Sequence, residues 1–300
     1  MSGKTLEFLR RPGDQTSTTD DRGAAITIIG HTDVGAVRER NEDQFVVASL
    51  ERTIVVQQCG LPENENERHV DTPTGRLMIV ADGMGGQVHG EVASAVVVDA
   101  MMQYAFSLMP WLRSSATRTD DERALADGLT KAVHRAQERM MEVATRKGYV
   151  GDMGSTLTLA YIAWPMLYLS HVGDSRAYLH RGGSLFRLTR DHNLAEEMVQ
   201  QKVLTEEEAR RSRFSSVLTN SVSTSDSPIK VELHQLELRA DDRLLLCTDG
   251  LYGELTDDQI HDKLLHVASP DLVRPCVESL VAAAKKAGGR DNITAVLALV

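Results

Sequence analysis

The chain has 300 residues, 42% of them apolar and 25% charged, as in a globular protein with a sizeable core. Its formal net charge of −10 argues against a nucleic-acid-binding protein, which is usually basic overall or along one face. The three cysteines have no zinc-type or C-x-x-C spacing, and no apolar run reaches the length of a signal segment or a membrane span. We therefore expect a cytoplasmic protein without a membrane span.

The first half of the chain is predicted to contain strands followed by two long helices. Residues 1–23 are polar and lack an apolar pattern, so we expect a disordered leader. Strands are predicted at residues 24–29, 44–50, 53–57 and 76–81, with a polar loop over residues 60–75. Helices are predicted at 89–108 and 119–147, the second beginning with a capping-box pattern.

The second half is predicted to repeat this order of elements. Strands are predicted at residues 155–164, 166–172, 176–180, 184–188, 229–238, 242–247 and 292–300. A polar helical insert at about residues 193–227 interrupts them, with a capping-box pattern at Thr205. Two helices are predicted later, one from a capping-box pattern at Thr256 and one from Pro270. Because strands and helices do not alternate regularly, antiparallel sheets with outer helices are expected, in a single domain over residues 24–300.

Several acidic residues stand beside apolar strands rather than on a solvated face. Asp82 and Asp249 each follow an apolar run, Asp291 precedes one, and Glu42 and Asp43 come just before another. A single Asp-Gly pair is most often a turn, but this whole set is expected to converge at one end of a sheet. Like charges brought together there need a cation. Ligands that are all oxygen favour hard ions such as Mg²⁺ or Mn²⁺ over Zn²⁺.

Seven short motifs that include these residues resemble those of the metal-dependent protein phosphatase family, the type 2C serine/threonine phosphatases. The motifs lie, in family order, at residues 32–43, 80–86, 154–156, 171–176, 188–192, 248–251 and 289–294. The resemblance covers roughly residues 25–300 and is nearest to bacterial members. It implies an α+β fold, a four-layer α-β-β-α sandwich of two antiparallel sheets flanked by helix pairs.

The resemblance also implies a role for each metal-site residue. Asp82 is expected to bridge two metal ions, Mn²⁺ or Mg²⁺, and the Gly83 carbonyl to bind one of them. Asp249 and Asp291 are expected to hold the other ion. Asp152 matches the position that, together with Asp249, binds a weaker third ion in family members.

The same resemblance implies direct hydrolysis of phosphoserine and phosphothreonine in proteins. Glu42 and Asp43 are expected to orient metal-bound water, and Arg38 to bind the substrate phosphate with its planar guanidinium fork. The implied partners are phosphorylated protein substrates and a cognate Ser/Thr kinase, in a monomeric signalling enzyme. The acid that protonates the leaving oxygen stays open between a metal-bound water near Asp152 and a histidine such as His89.

Supporting roles are expected for two further acidic residues. Asp33 is expected to support the loop that carries Arg38 through a side-chain-to-backbone hydrogen bond. Asp174 is expected to stabilise a turn and to pair with Arg176.

Other functions can be weighed on the same residues. A pseudophosphatase would have lost metal carboxylates, yet all of them are present. A cysteine-dependent phosphatase needs Arg six residues after its Cys, where this chain has Glu65, Gly253 and Ala282. A phosphatase of a partner-switching circuit stays open, although Arg38, which some of those enzymes lack, favours the general enzyme.

Overall fold

The computed structural model describes residues 26–50, 75–85, 89–107, 118–149, 153–210, 212–225 and 227–300, with the backbone alone for 106–107 and 118–124. The predicted leader, the predicted strand at 53–57, nearly all of the predicted loop at 60–75, and Asp152 lie outside the described residues.

The described strands are, in chain order, β1 (Thr27–Asp33), β2 (Asp43–Leu50), β3 (Gly75–Gly85), β4 (Met153–Ser155), β5 (Leu157–Ala163), β6 (Met166–Val172), β7 (Arg176–Arg181), β8 (Ser184–Arg187), β9 (Val222–Ser223), β10 (Glu232–Glu237), β11 (Arg243–Cys247) and β12 (Ile293–Leu299). The described helices are α1 (His89–Ser107), α2 (Arg118–Lys147), α3 (Leu194–Gln200), α4 (Glu206–Arg210), α5 (Asp249–Tyr252), α6 (Asp257–Leu265) and α7 (Pro270–Ala287). None of the described helices is long and apolar enough to cross a membrane.

The strands form two antiparallel sheets that stack between helix layers. One sheet has the order β1-β12-β11-β7-β8; the other has the order β10-β6-β5-β3-β4-β9, with β2 also paired to β3. Side chains alternate along each strand, so Met78 and Val80 of β3 lie between the sheets while Leu77 and Ile79 face α1 and α2. Leu245 of β11 faces α6 and α7. The predicted four-layer α-β-β-α sandwich is therefore confirmed.

Local signals explain where the helices begin. Thr256 caps α6 through a reciprocal box with Gln259, and α7 begins at Pro270, whose missing N–H is not needed in a first turn. Asn193 caps α3, and Thr205 forms the predicted capping box with Glu208 at the start of α4. These polar caps let short helices form in the insert despite its small apolar content.

Strand β3 does not end at Ala81, as the apolar run predicts, but continues to Gly85. Gly83 pairs with Ser155 of β4, which extends the ladder beyond the apolar segment. A Cβ atom on Gly83 would lie 2.0 Å from the carbonyl oxygen of Gly90, so only glycine lets the start of α1 pack over the strand. The Asp-Gly pair at residues 82–83 is thus strand rather than turn.

Candidate active site

Asp43 and Asp82 lie directly opposite each other on β2 and β3. Asp43 is 3% exposed, and its Oδ2 accepts hydrogen bonds from Thr248 Oγ1 at 2.8 Å and from Thr294 Oγ1 at 2.6 Å. Its Oδ1 is buried without a hydrogen-bond partner among the described residues. Two hydroxyl groups therefore orient this carboxylate and leave one oxygen available.

Asp249 joins this pair from the end of β11, where it begins α5. Its Oδ1 is buried and also lacks a hydrogen-bond partner in the described part of the chain, and its carboxyl group lies within hydrogen-bonding reach of Asp82. A Cβ on Gly250 would lie 2.0 Å from the carbonyl oxygen of Asn292, so the chain after Asp249 packs directly on the chain after Asp291. The fold thus brings Asp249 close to Asp43, which lies more than 200 positions earlier in the chain.

Ionisation of all three carboxyl groups at once is unfavourable in the folded protein. Burial raises the pKa of Asp82 well above its usual range, and the charges of Asp43 and Asp249 raise it further. Burial likewise raises the pKa of Asp43 to about 7 and that of Asp249 to about 6. Desolvated carboxylates at close range must either bind protons or be neutralised by a cation.

Arg38 reaches the cluster through Asp291. Arg38 Nη2 donates to Asp291 Oδ2 at 2.7 Å, while Asp291 Oδ1 accepts from the Asn292 backbone N–H at 2.8 Å. The Arg38 side chain is half exposed, so it lies at the rim of the site rather than inside it. A guanidinium at the rim can contact both the carboxylates and a ligand that approaches from solvent.

Glu42 and the Gly83 carbonyl lie together over the first turn of α1. The Glu42 carbonyl accepts from Ser94 Oγ at 2.6 Å and from the Gly83 N–H at 3.2 Å, which joins β2, β3 and α1. A Cβ on Gly90 would lie 2.6 Å from Glu42 Cδ and 2.8 Å from Gly83 O. Burial raises the pKa of Glu42. The structure thus brings the described candidate residues to one end of the sheets.

Asn292 is a site residue to which the sequence analysis assigns no role. It is 4% exposed; its Oδ1 accepts from the Glu42 N–H at 2.8 Å, and its Nδ2 donates to the carbonyls of Val34 at 3.0 Å and Arg40 at 2.8 Å. One side chain therefore holds both ends of the loop that carries Arg38. Its position beside Asp291, at the start of an apolar strand, is the sequence signal that could have indicated it.

The loop that carries Arg38 has a second support at Asp33. Asp33 Oδ1 accepts from the Gly35 N–H at 2.7 Å and from Lys285 Nζ of α7 at 2.8 Å, so the predicted side-chain-to-backbone bond is confirmed. Gly35 has a φ of 83°, and a Cβ there would lie 2.2 Å from the Asp291 carbonyl oxygen. This close approach brings the loop against the strand that follows Asp291.

The predicted pairing of Asp174 with Arg176 is wrong. The buried Arg176 guanidinium forms a bidentate pair with Asp191, with Nε–Oδ1 at 2.9 Å and Nη2–Oδ2 at 2.6 Å, and stacks 3.6 Å from the centroid of the Tyr252 ring. Tyr252 Oη donates to the Asp174 carbonyl at 2.9 Å. A guanidinium group pairs best with a carboxylate that faces its N–H groups edge-on. Asp191, just before the insert, has this orientation toward Arg176.

Asp174 instead lies beside the carboxylate cluster. Burial raises its pKa well above the usual range, and the charge of Asp249 is the next cause. Its charge in turn raises the pKa of Asp82. Asp174 therefore adds to the negative charge that a bound cation would neutralise.

A second group with metal-ligand chemistry consists of His171, His192 and Glu232, whose ligand atoms lie within 4.8 Å of one another. His171 Nε2 lies 3.0 Å from the Arg190 carbonyl and must donate to it, since a carbonyl only accepts. His192 Nδ1 lies 2.9 Å from Asn220 Nδ2, so its own proton sits on Nε2, which faces Glu232 at 3.1 Å. The histidine nitrogens are thus occupied by hydrogen bonds that tie the insert to the sheet.

Comparison with known proteins places these residues among phosphatase sequences. A sequence model of the family described as protein phosphatase 2C matches residues 57–298, which include Asp82, Asp249 and Asp291 but not Arg38. The serine/threonine protein phosphatase PstP of Mycobacterium tuberculosis is 33% identical over 242 residues, which cover 80% of this chain and 43% of PstP. The chain therefore spans less than half of the length of that relative.

One further relative and one solved catalytic domain match over nearly their whole length. The serine/threonine phosphatase stp of Listeria welshimeri is 27% identical over 266 residues, which cover 89% of this chain and 92% of stp. A solved structure of the catalytic domain of serine/threonine protein phosphatase PstP in complex with two manganese ions shares 28% sequence identity. It superposes with a TM-score of 0.68 and covers 91% of this chain and 97% of its own.

Proposed function

The chain belongs to the protein phosphatase 2C family, and from that premise we propose that it hydrolyses phosphoserine and phosphothreonine in proteins with the help of divalent metal ions. The observation that carries this proposal is the cluster formed by the buried Asp43 and the half-buried Asp82 and Asp249. Two of its oxygens, Asp43 Oδ1 and Asp249 Oδ1, have no hydrogen-bond donor among the described residues. A buried carboxylate oxygen without a protein donor is suited to contact a cation or a water molecule that a cation holds.

The donor set fits hard divalent ions. The proposed ligands are the carboxylates of Asp82, Asp249 and Asp291 and the Gly83 carbonyl, all oxygen atoms, as Mg²⁺ and Mn²⁺ prefer. We propose two ions, in line with the two manganese ions in the PstP structure. Asp152 stays a proposed ligand of a weaker third ion together with Asp249. When bound, such ions lower the pKa of water and polarise a phosphoryl oxygen.

Arg38 is proposed to bind the substrate phosphate. Only its Nη2 makes a protein hydrogen bond among the described residues, which leaves the N–H groups on Nε and Nη1 for phosphate oxygens. Its half-exposed position allows a phosphorylated side chain to approach from solvent. A guanidinium can bind two phosphate oxygens at once, which orients the phosphorus for attack.

Asp43 and Glu42 are proposed to orient the attacking water. Thr248 and Thr294 hold Asp43 Oδ2, so Oδ1 keeps one direction and can accept a hydrogen bond from water. Glu42 is held by its backbone, through Asn292 and Ser94, which restricts where its carboxyl group can reach. Water oriented in this way loses less freedom when it attacks the phosphoester.

The insert at residues 193–227 is proposed to be a flap that borders this site in a single phosphatase domain. Burial raises the pKa of Asp174 and the side chain of Asn193, the first residue of the insert, lowers it, so Asn193 lies near the carboxylate cluster; the pair of Arg176 with Asp191 lies just before the insert. An enzyme that removes phosphate from Ser and Thr acts on the product of a Ser/Thr kinase, so a cognate kinase is a proposed partner. Unpaired buried Cys247 and Cys276 support the proposal of a cytoplasmic enzyme, which we take to be a monomer.

The test is release of phosphate from a phosphothreonine peptide with Mn²⁺, with Mg²⁺ and with EDTA. We expect turnover with either ion and none after chelation. A cysteine-dependent phosphatase would keep its activity in EDTA. Activity that persists after dialysis against EDTA would therefore contradict the proposal.

A further inference from the structure

A cavity of about 410 Å³ lies at the end of the first sheet that is remote from the carboxylates. It is formed by the β7–β8 turn, the β10–β11 turn and the end of α6, and its polar lining is His180, Arg181, Arg239, Asp241, Asp242 and Arg243. Strand β11 runs from Arg243 at the cavity to Cys247, just before Asp249. At about 3.3 Å per residue, about 13 Å of strand therefore separates Arg243 at the cavity from Cys247 near the active site.

The cavity carries positive charge in an acidic chain. Its lining holds three arginines and two aspartates, whereas the whole chain has a net charge of −10. Arg181 Nε donates to Asp242 Oδ1 at 2.8 Å, so these two largely buried charges neutralise each other. Arg239 and Arg243 form no ion pair with the described residues. The remaining carboxylate, that of Asp241, is exposed and balances only one of them.

Arg243 keeps free donors beside the cavity. Its Nε donates to the Val267 carbonyl at 2.7 Å and its Nη1 to the Asp241 carbonyl at 3.0 Å, which positions the guanidinium without neutralising it. Its Nη2 makes no hydrogen bond with the described residues, nor does the exposed guanidinium of Arg239. Two cationic groups thus present unused N–H donors to the same space.

His180 places a buried ring against the guanidinium group of Arg243. The residue is 1% exposed, and its Nδ1 lies 3.4 Å from Arg243 Nη1. Arginine can only donate, so the His180 ring proton is on Nε2. That Nε2 is buried without a hydrogen-bond partner among the described residues. Burial and the Arg243 charge lower the pKa of His180, so the ring stays neutral.

The ring of His261 on α6 lies against that of His180, with centroids 5.1 Å apart. Its own Nδ1 is also buried and has no hydrogen-bond partner within the described chain, so the two ring nitrogens are not bonded to each other. Buried polar groups are almost always paired, so the described residues leave hydrogen bonds unmade beside the guanidinium group of Arg243. A neutral water could fill such a gap but would leave one of the two guanidinium charges without a counter-charge.

We propose that this cavity binds an oxyanion, with the free N–H groups of Arg239 and Arg243 as its donors and the His180 ring, in contact with Arg243, as the group that senses it. Charge-assisted hydrogen bonds from arginine suit both a phosphate and a carboxylate group. The site is independent of the carboxylate cluster, and its occupancy does not require the proposed catalytic activity.

The test follows the ring nitrogens of His180 by ¹⁵N–¹H NMR in the Mg²⁺-loaded protein during titration with inorganic phosphate, with acetate, and with chloride at matched ionic strength. We expect a saturable shift of the His180 Nε2–H with phosphate, with acetate or with both, but not with chloride. A response to phosphate alone identifies a tetrahedral anion as the ligand, and a response to acetate alone identifies a carboxylate.

Matched variants test whether the oxyanion binds in the cavity, rather than responding to the overall charge of the protein or binding at the active site. Arg239→Gln removes a lining charge and should weaken binding at least about tenfold. Arg139→Gln removes an exposed charge on α2, in the opposite helix layer, and should leave the affinity unchanged. The shift should also persist in Asp82→Asn. The proposal is overturned if neither oxyanion gives a saturable shift, if chloride gives the same shift, or if Arg239→Gln binds as tightly as the wild type.

Discussion

Asp43 lies directly across the β2–β3 ladder from Asp82, and the two carboxyl groups share one face of the sheet. Asp249 completes the set from another strand end, and burial raises the pKa of all three groups. This arrangement exists only in the folded chain, since the residues are far apart in sequence. The folded state is therefore destabilised by these charges when no cation is bound.

Divalent metal should raise the melting temperature of the protein. An ion that binds only the folded state stabilises it by about 2.7 kcal/mol at one hundred times its Kd, which corresponds to a few degrees in Tm for a chain of this size. Thermal melting across a Mn²⁺ titration measures the rise. Asp82→Asn should reduce it, whereas Asp262→Asn, on the exposed side of α6, should not. Equal melting of Asp82→Asn and wild type at every Mn²⁺ concentration would argue against the cluster.

The stabilisation by metal should grow as pH rises. Asp43 and Asp249 have folded-state pKa values of about 7 and about 6, above the unfolded value, so the metal-free folded state binds protons that the unfolded chain does not. Between about pH 4 and pH 7 these groups make the metal-free protein less stable as pH rises.

The buried His171 makes the protein more stable as pH rises, which is opposite to the effect of the two aspartates. The measurement must therefore separate the two effects. Burial lowers the pKa of His171 to about 4, so its contribution to stability is lost as pH falls below its unfolded value. This contribution is the same with and without metal. The quantity to measure is therefore the difference in Tm between Mn²⁺ and EDTA from pH 5 to 7.5. A difference that is constant or falls over this range would contradict the raised pKa values.

Arg38→Ala should weaken substrate binding more than it disturbs the fold. Loss of a hydrogen bond to a charged group costs about 1.5–3 kcal/mol, or about ten- to a hundredfold in kcat/KM on a phosphothreonine peptide. Because the side chain is half exposed, Tm should change little. Arg40→Ala, on the same loop, is the control and should behave like wild type. Unchanged KM and kcat in Arg38→Ala would remove this residue from the site.

Asn292→Ala should lower both stability and substrate affinity. The buried amide makes three hydrogen bonds that hold the loop carrying Arg38, so its loss should lower the free energy of unfolding by about 1–3 kcal/mol. A positioning role predicts that the increase in KM largely disappears when Asn292→Ala is made in an Arg38→Ala background. Additive effects on KM would instead assign Asn292 a purely structural role.

The parts of the fold that depend on short-range signals could be predicted from the sequence. The capping boxes at Thr205 and Thr256 use residues within one turn, and both are confirmed. The motifs with Asp82 and Asp249 indicate the family because their spelling and order are specific, and the apolar runs beside them indicate strands. The order of strands and helices predicts antiparallel sheets with outer helices, and the family resemblance implies their arrangement in four layers.

Features that depend on long-range packing could not be predicted in the same way. The choice of Asp191 over Asp174 by Arg176 depends on which carboxylate the folded chain presents edge-on to the guanidinium. The three contacts of Asn292 join segments about 250 positions apart. The extension of β3 beyond Ala81 depends on β4, which lies about 70 residues later and supplies the hydrogen bonds.

The most direct test of a metal-dependent phosphatase is phosphate release from a phosphothreonine peptide by Asp249→Asn at saturating Mn²⁺, beside wild type and Asp262→Asn. The substitution keeps the size of the side chain but removes the charge of a proposed metal ligand. We predict no detectable turnover by Asp249→Asn and wild-type turnover by Asp262→Asn. A near-normal rate for Asp249→Asn would contradict the assignment of the buried carboxylates as the metal site.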